Sequence, residues 1–174
     1  MGKERKKLFL IDDTEFSLVR TKQFLKDYYE VYTIDSATKM FELLEKVWPD
    51  LILLDIEMPG MDGYETLELL KNKKHYSQIP VIFLSGRYDE KSILKGLTLG
   101  AVDHVIKPYT PKDLLERIAS DREMGISREE IEKLLNVQQF TGCAEEQTTE
   151  FLKDVTAVLN ANRKLIGIDI TISV

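Results

Sequence analysis

Short runs of apolar residues alternate with longer amphipathic segments five times between residues 7 and 120. The runs are rich in Val, Ile and Leu, as is typical of parallel strands that are buried on both faces. We predict strands near residues 7–12, 30–34, 51–55, 81–85 and 102–106. Five strand–helix units of this length predict an α/β fold, a doubly wound five-stranded parallel sheet with helices on both faces.

Apolar positions at helical spacing identify the segments between the runs as helices. Phe16, Val19 and Phe24 mark the first helix, and Ile93 and Leu97 mark the fourth. The intervals of three to five residues indicate helical periodicity, and strands would show an alternation of period two.

The chain changes character after about residue 120. Residues 127–130 read Ser-Arg-Glu-Glu, a capping-box motif, and a second helical pattern runs over 151–159. Over 166–174 branched apolar residues alternate strictly with Gly, Asp, Thr and Ser, which predicts a half-buried strand. We therefore expect one domain over 1–120 and a helical extension over 121–174 that ends in a strand.

Chemically active side chains stand at the ends of four predicted strands. Asp12 and Asp13 end the first, Asp55 the third, Ser85 the fourth and Lys107 follows the fifth. The carboxyl ends of parallel strands meet at one edge of a sheet, where α/β proteins bind ligands. Three carboxylates there suit a hard, oxygen-seeking ion, for which Mg²⁺ is the best candidate. The amine and the hydroxyl would serve a phosphoryl group.

The order and spacing of these residues resemble the receiver domain of two-component response regulators. The resemblance covers residues 5 to about 120 and rests on the motifs Asp12-Asp13, Asp55 followed by Met58-Pro59-Gly60-Met61-Asp62-Gly63, Ser85-Gly86, and Gly100-Ala101 leading to Lys107-Pro108. It implies a flavodoxin-like, CheY-like fold and phosphorylation of Asp55 in a Mg²⁺-dependent reaction. The donor would be a sensor histidine kinase, a phosphotransfer protein or a small phosphodonor.

The resemblance also implies a ligand set for the ion. Asp13 and Asp55 would bind Mg²⁺ directly, Asp12 would help through water, and the backbone carbonyl of Glu57 would complete the protein ligands. The peptide bond between Lys107 and Pro108 would be cis.

Further roles follow from the same resemblance. Ser85 and Lys107 would contact the phosphoryl oxygens, and Ser85 would move as part of a switch. His104 stands three residues before the lysine, where the family usually has Tyr or Phe as the second switch residue. Its charge can change near neutral pH. Glu57 and Arg87 would flank the path of the attacking water and tune dephosphorylation.

An enzyme of a different class provides the alternative, a phosphatase of the haloacid dehalogenase type. That family also uses a strand-end Asp nucleophile with Mg²⁺, Ser or Thr and Lys. It needs a second Asp two residues after the nucleophile, where this chain has Glu57. A receiver, in contrast, is not a turnover enzyme: it is a phosphoacceptor with self-catalysed phosphotransfer and dephosphorylation only.

Composition limits the partners and the compartment. The net charge of −6 argues against a nucleic-acid surface spread over the chain. The basic start is followed by only four apolar residues, too few for a signal core or a membrane span. The single cysteine, Cys143, has no partner within the chain, which is typical of a reduced thiol in a cytoplasmic protein.

The output of the chain is open at this stage. Residues 119–174 contain ten acidic and six basic residues, a net charge of −4, which is unsuited to gripping phosphates. The tail is therefore the start of a domain that continues past Val174, an element through which a complete protein associates, or an atypical part of a transcription regulator. The alternating strand favours a homodimer, since it has an apolar face and an unpaired edge.

Overall fold

The computed structural model describes residues 5–86, 89–121 and 124. Five strands and five helices alternate along these residues. They are β1 Lys7–Ile11, α1 Glu15–Leu25, β2 Glu30–Ile34, α2 Ala37–Leu44, β3 Leu51–Asp55, α3 Gly63–Asn72, β4 Val81–Ser85, α4 Glu90–Thr98, β5 Asp103–Ile106 and α5 Pro111–Ser120. Each predicted strand is confirmed to within one residue at either end. Arg87 and the two helices and strand predicted in the extension lie outside the described residues.

The five strands form a single parallel sheet in the order β2-β1-β3-β4-β5. The chain steps outward from β1 to β2 and then crosses to β3 on the other side of β1. At such a reversal the loops that follow β1 and β3 diverge to opposite faces and leave a crevice at the carboxyl ends of the strands. The ends of β1 and β3 therefore form the natural binding edge of this fold.

Two apolar cores fill the faces of the sheet, which confirms the expected helices on both sides. Phe9, Leu54 and Phe83 point into one core, together with residues of α2 and α3. Leu10 and Leu53 point into the other, together with residues of α1 and α5. Successive residues of one strand enter opposite cores because side chains alternate across a strand. The central strands are therefore fixed from both sides, and so are the residues at their ends.

Helix α1 packs on the sheet through a face that excludes two of its large apolar residues. Leu18, Thr21 and Leu25 are buried, whereas Phe16 and Val19 are 73% and 63% exposed. The helix itself is as predicted, but two of the residues that mark its periodicity lie on the surface. This leaves an apolar surface on α1 close to the carboxyl edge of the sheet.

Helix α4 is the least buried of the described helices. Gly96 is its only buried residue, and a Cβ atom there would come within 2.9 Å of the Phe83 ring. Leu94 and Leu97 are largely exposed. A hydrogen bond from the Tyr64 hydroxyl of α3 to the backbone carbonyl of Ser92, at 3.0 Å, also holds the helix.

The loop after β3 passes very close to the start of α3. A Cβ atom on Gly63 would overlap the backbone carbonyl oxygen of Asp55, so only glycine fits there. Asp62 caps the helix by accepting a hydrogen bond from the Glu65 backbone at 2.8 Å, and Glu65 accepts one in return. None of the helices in the described ranges is long and apolar enough to cross a membrane.

Candidate functional site

Three carboxylates meet at the carboxyl ends of β1 and β3. Asp12 and Asp55 are buried, with 1% and 4% of their surface exposed, and Asp13 is exposed. One oxygen from each of the three lies within 4.8 Å of the other two. The backbone amide of Thr14 donates to Asp12 Oδ1 at 2.9 Å and fixes the orientation of that carboxylate. Three oxygen ligands at this spacing, one of them open to solvent, fit a hard divalent cation such as Mg²⁺.

Lys107 brings a positive charge into this acidic cluster. Its Nζ lies 2.6 Å from Asp12 Oδ2 and 3.0 Å from Asp55 Oδ2. Burial alone would lower the pKa of Lys107, but the hydrogen bonds and the negative charges of Asp12 and Asp55 together outweigh it and raise the pKa. The amine is therefore charged at neutral pH. The Lys107–Pro108 peptide bond is cis, as the resemblance implies.

Asp55 is held in a less polar environment than an ordinary surface carboxylate. Burial raises its pKa, and the charge of Asp12 adds to this, while the hydrogen bond and charge of Lys107 act in the opposite direction. The backbone amide of Glu57 contributes a long contact of 3.4 Å to Asp55 Oδ1. A carboxylate that is poorly solvated but adjacent to a cation is more nucleophilic than one surrounded by water.

The end of β4 forms the neighbouring wall of the site. Ser85 is fully buried, and its carbonyl accepts a hydrogen bond from the Lys107 backbone amide at 2.7 Å. At Gly86 a Cβ atom would lie 3.6 Å from Glu57 Oε2, an ordinary contact distance. The Glu57 side chain therefore borders the loop after β4, beside the mouth of the site. The Glu57 carbonyl as a ligand and the role of Arg87 stay predictions.

His104 lies on β5 beneath α4, in register with Phe83 of β4. The residue is buried, and neither ring nitrogen has a hydrogen-bond partner among the described residues. Burial lowers its pKa; Arg117 lowers it further, and Asp103 and Asp89 oppose both effects. The ring is therefore neutral at neutral pH, and its part in a switch stays a prediction.

One buried contact beside the site could not be predicted from the sequence. The hydroxyls of Thr21 on α1 and Tyr109, two residues after Lys107, are 2.7 Å apart. A cavity of about 240 Å³ lies next to this pair; it is lined by Phe16, Ser17, Arg20, Thr21, Lys107, Pro108 and Tyr109. The partners are 88 residues apart in the chain, so no local motif signals the contact.

Known proteins are similar to this chain in sequence. The profile of the family described as "Response regulator receiver domain" matches residues 8–119. The phosphate regulon transcriptional regulatory protein PhoB of Klebsiella pneumoniae is 38% identical over 109 residues, which cover 63% of this chain and 46% of PhoB. A probable cyclic di-GMP phosphodiesterase of Vibrio cholerae is 37% identical over 111 residues, 64% of this chain and 25% of that protein. The chain thus spans about half or less of these curated relatives.

Solved structures give the same result for the fold. The chemotaxis protein CheY4 of Vibrio cholerae superposes with a TM-score of 0.64 at 25% identity, over 67% of this chain and 98% of CheY4. A CheY-like response regulator receiver domain protein from Methanospirillum hungatei superposes with a TM-score of 0.63 at 30% identity, over 69% of this chain and 97% of that one. Both likenesses cover little more than the described residues.

Proposed function

The chain belongs to the response regulator receiver family, and on that basis we propose that it carries a signal by accepting a phosphoryl group on Asp55. The contact that carries the proposal is the position of Lys107, whose amine lies between Asp12 and Asp55 at 2.6 Å and 3.0 Å. A cation in contact with the acceptor is what a phosphoryl group, with negative charge spread over three oxygens, requires as it approaches a carboxylate. The comparisons give no support to the haloacid dehalogenase phosphatase.

The chemistry follows from the residues at the strand ends. A carboxylate oxygen of Asp55 attacks phosphorus, and an acyl phosphate bond forms. The bond from phosphorus to the donor, a histidine nitrogen or the acetate oxygen of acetyl phosphate, breaks and its electron pair leaves with the donor. Lys107 would neutralise charge on the equatorial oxygens, and the Ser85 hydroxyl would donate a hydrogen bond to one of them.

The acidic cluster prepares the same step. Asp12, Asp13 and Asp55 would hold Mg²⁺, with the Glu57 carbonyl as a further ligand. When bound, the ion would neutralise negative charge on the acceptor carboxylate and on the phosphoryl group. Without such a cation three carboxylates face one ammonium, and an incoming phosphoryl group would be repelled.

The surface of α1 suits the protein that delivers the phosphoryl group. Phe16 and Val19 are strongly exposed, and Phe16 lines the cavity that also reaches Lys107. Exposed apolar side chains at the rim of a reactive site are typical of an interaction surface. The partner would be a sensor histidine kinase or a phosphotransfer protein whose phosphohistidine must reach Asp55, and the meeting would take place in the cytoplasm.

The extension after about residue 120 would provide a dimer contact. The proposal rests on sequence alone, on the alternating apolar residues of 166–174 and the helical pattern of 151–159. Light scattering at tens of micromolar, on the full chain and on a chain shortened after Ser120, tests it. A dimer that becomes a monomer on shortening supports the contact, and two monomers contradict it.

The test of the central proposal is phosphorylation by acetyl phosphate, followed by intact mass spectrometry. We expect one added phosphoryl group per chain in the presence of Mg²⁺ and none without a divalent ion. Asp55→Asn should abolish the added mass. Asp27→Asn serves as the matched control, because that carboxylate is exposed and lies between α1 and β2, at the opposite edge of the sheet from the site. Equal labelling of the Asp55→Asn protein would exclude Asp55 as the acceptor.

A second measurement separates the receiver from a phosphatase. The acceptor takes up one phosphoryl group and releases it slowly, so phosphate release from an excess of a phosphomonoester should stay at the level of the buffer. Continuous turnover that depends on Asp55 would favour an enzyme.

A further inference from the structure

The hydrogen bond between Thr21 and Tyr109 joins helix α1 to the segment that carries Lys107. Both residues are buried, at 2% and 8% exposure, and their hydroxyl oxygens are 2.7 Å apart. We propose that Thr21 and Tyr109 are a positioning pair, which holds the Lys107 amine at the distance that phosphoryl transfer to Asp55 requires. This inference rests on the proposed function of the same site.

The backbone around Lys107 is fastened on both sides. On the preceding side, its amide donates to the Ser85 carbonyl at 2.7 Å and ties it to β4. On the following side, Tyr109 reaches α1, and Thr110 then caps α5 by accepting a hydrogen bond from the Asp113 amide. The Tyr109 side chain therefore links this segment to α1.

Packing alone does not fix this link. The cavity of about 240 Å³ borders Thr21, Lys107 and Tyr109, so part of their surface has no side chain pressed against it. Apolar contacts are non-directional, whereas a hydrogen bond of normal length restricts both distance and angle. The hydrogen bond between the two hydroxyls therefore restricts a distance and an angle that packing in the core does not fix. Burial raises the pKa of Tyr109, so its hydroxyl keeps its proton at neutral pH and the bond persists.

The position of Lys107 matters because it contacts two carboxylates at once. A small displacement of its backbone would move the amine toward Asp12 or away from Asp55. The distance from the Lys107 amine to Asp55 Oδ2 is already 3.0 Å. Charge stabilisation during phosphoryl transfer depends steeply on such distances. Loss of the hydroxyl pair should therefore slow the chemical step more than it weakens donor binding.

The experiment measures Asp55 labelling of the full chain over a range of acetyl phosphate concentrations, with Mg²⁺ present. We expect Tyr109→Phe and Thr21→Val each to lower the rate constant at saturating donor by about fivefold, with a smaller change in the half-saturating concentration. Thr21→Ser keeps the hydroxyl and should restore the rate. Tyr29→Phe is the matched control, since the Tyr29 hydroxyl is buried without a hydrogen-bond partner among the described residues; it should leave the rate unchanged.

A second arm distinguishes positioning from a loss of fold stability. In a Lys107→Ala background, Tyr109→Phe should cause no further loss of labelling rate, because the residue it positions is gone. Equal rates for the wild type and Tyr109→Phe would overturn the inference. The inference would also be overturned if Tyr109→Phe lowered the labelling rate by the same factor in the wild-type and Lys107→Ala backgrounds, because the pair would then act through folding. If the wild type itself is not labelled, the proposed function fails and this inference fails with it.

Discussion

The ammonium of Lys107 lies closer to Asp12, at 2.6 Å, than to the proposed acceptor Asp55, at 3.0 Å. Asp12 is almost completely buried and needs a countercharge, since an unpaired buried carboxylate is strongly unfavourable. The lysine therefore serves two purposes: it compensates Asp12 and it lies within reach of Asp55.

Because Lys107 contacts both carboxylates, removing its charge should have opposite effects on Mg²⁺ affinity and on the labelling rate of Asp55. Lys107→Met keeps the length of the side chain but leaves three carboxylates without a cation, so Mg²⁺ should bind more tightly, on the order of tenfold. The labelling rate of Asp55 should nevertheless fall by about a hundredfold, since the phosphoryl oxygens lose their charge partner. Titration calorimetry and intact mass spectrometry measure the two quantities.

The matched control for this pair of measurements is Lys112→Met. Lys112 is exposed and contacts Glu116 only at 3.9 Å, so both quantities should stay at their wild-type values. A Lys107→Met protein that binds Mg²⁺ no more tightly than wild type would contradict the electrostatic account of the site.

The lifetime of the acyl phosphate should depend on the residues at the mouth of the site. Glu57 borders the loop after β4, and Arg87 follows in that loop by sequence. We expect Glu57→Ala and Arg87→Ala to change the rate of phosphate loss while one phosphoryl group is still taken up. Decay is followed by mass spectrometry after removal of the donor, with the exposed Glu68→Ala as control. Unchanged decay in both variants would remove these residues from the water path.

The stability of the domain should depend on pH through His104. Burial lowers the pKa of this ring below the ordinary value of 6.5, so the unfolded chain binds the proton more readily than the folded one. Its contribution to stability is therefore present above about pH 6.5 and is lost as the pH falls from there toward the folded-state pKa.

Urea unfolding at about pH 7.5 and about pH 5.5 measures this effect. His104→Phe should lose less unfolding free energy between the two values than the wild type, because the ring that titrates is absent. Replacement of His75, an exposed histidine in the loop after α3, is the control and should leave the wild-type difference in place. A His104→Phe protein with the wild-type pH dependence would contradict the prediction.

Two glycines near the site should respond differently to alanine. Gly63→Ala places a Cβ atom against the backbone of Asp55, which cannot move aside without displacing β3, and should cost on the order of 3 kcal/mol of unfolding free energy. Gly60 has a φ of 80° but no atom within 4 Å of its Cβ position. Gly60→Ala should therefore cost only about 1 kcal/mol, the strain of the left-handed conformation. Chemical denaturation compares them, and equal losses would contradict the contact at Gly63.

The strands and the site edge could be predicted from the sequence because their signals are local. Each strand is a run of apolar residues, and the polar residue that ends it must lie at the sheet edge. Asp12, Asp55 and Lys107 are brought together by the parallel topology alone, which the strand–helix alternation already implies. The same logic placed Ser85 at the wall of the site.

What could not be predicted depends on contacts between distant parts of the chain. Phe16 and Val19 lie on the solvent side of α1, and Thr21, a polar residue, lies on its buried side. From hydropathy alone, Phe16 and Val19 would be expected on the buried side and Thr21 on the solvent side. The contact between Thr21 and Tyr109 adds a second case, since neither residue is unusual by itself and only the packing of α1 against the sheet brings them together.

Because helix α4 is packed shallowly on the sheet, a phosphoryl group would need to supply little free energy to change the surface of this protein. The helix rests on Phe83 through a glycine, and its leucines already face water. Shifting it would therefore expose little additional apolar area, and we expect the free energy difference between two positions of the helix to be small. A ligand can move an equilibrium only by the difference in its affinity for the two states. We therefore expect one new anionic group at the strand ends to redistribute α4, while the helices that insert leucines into the two cores stay in place.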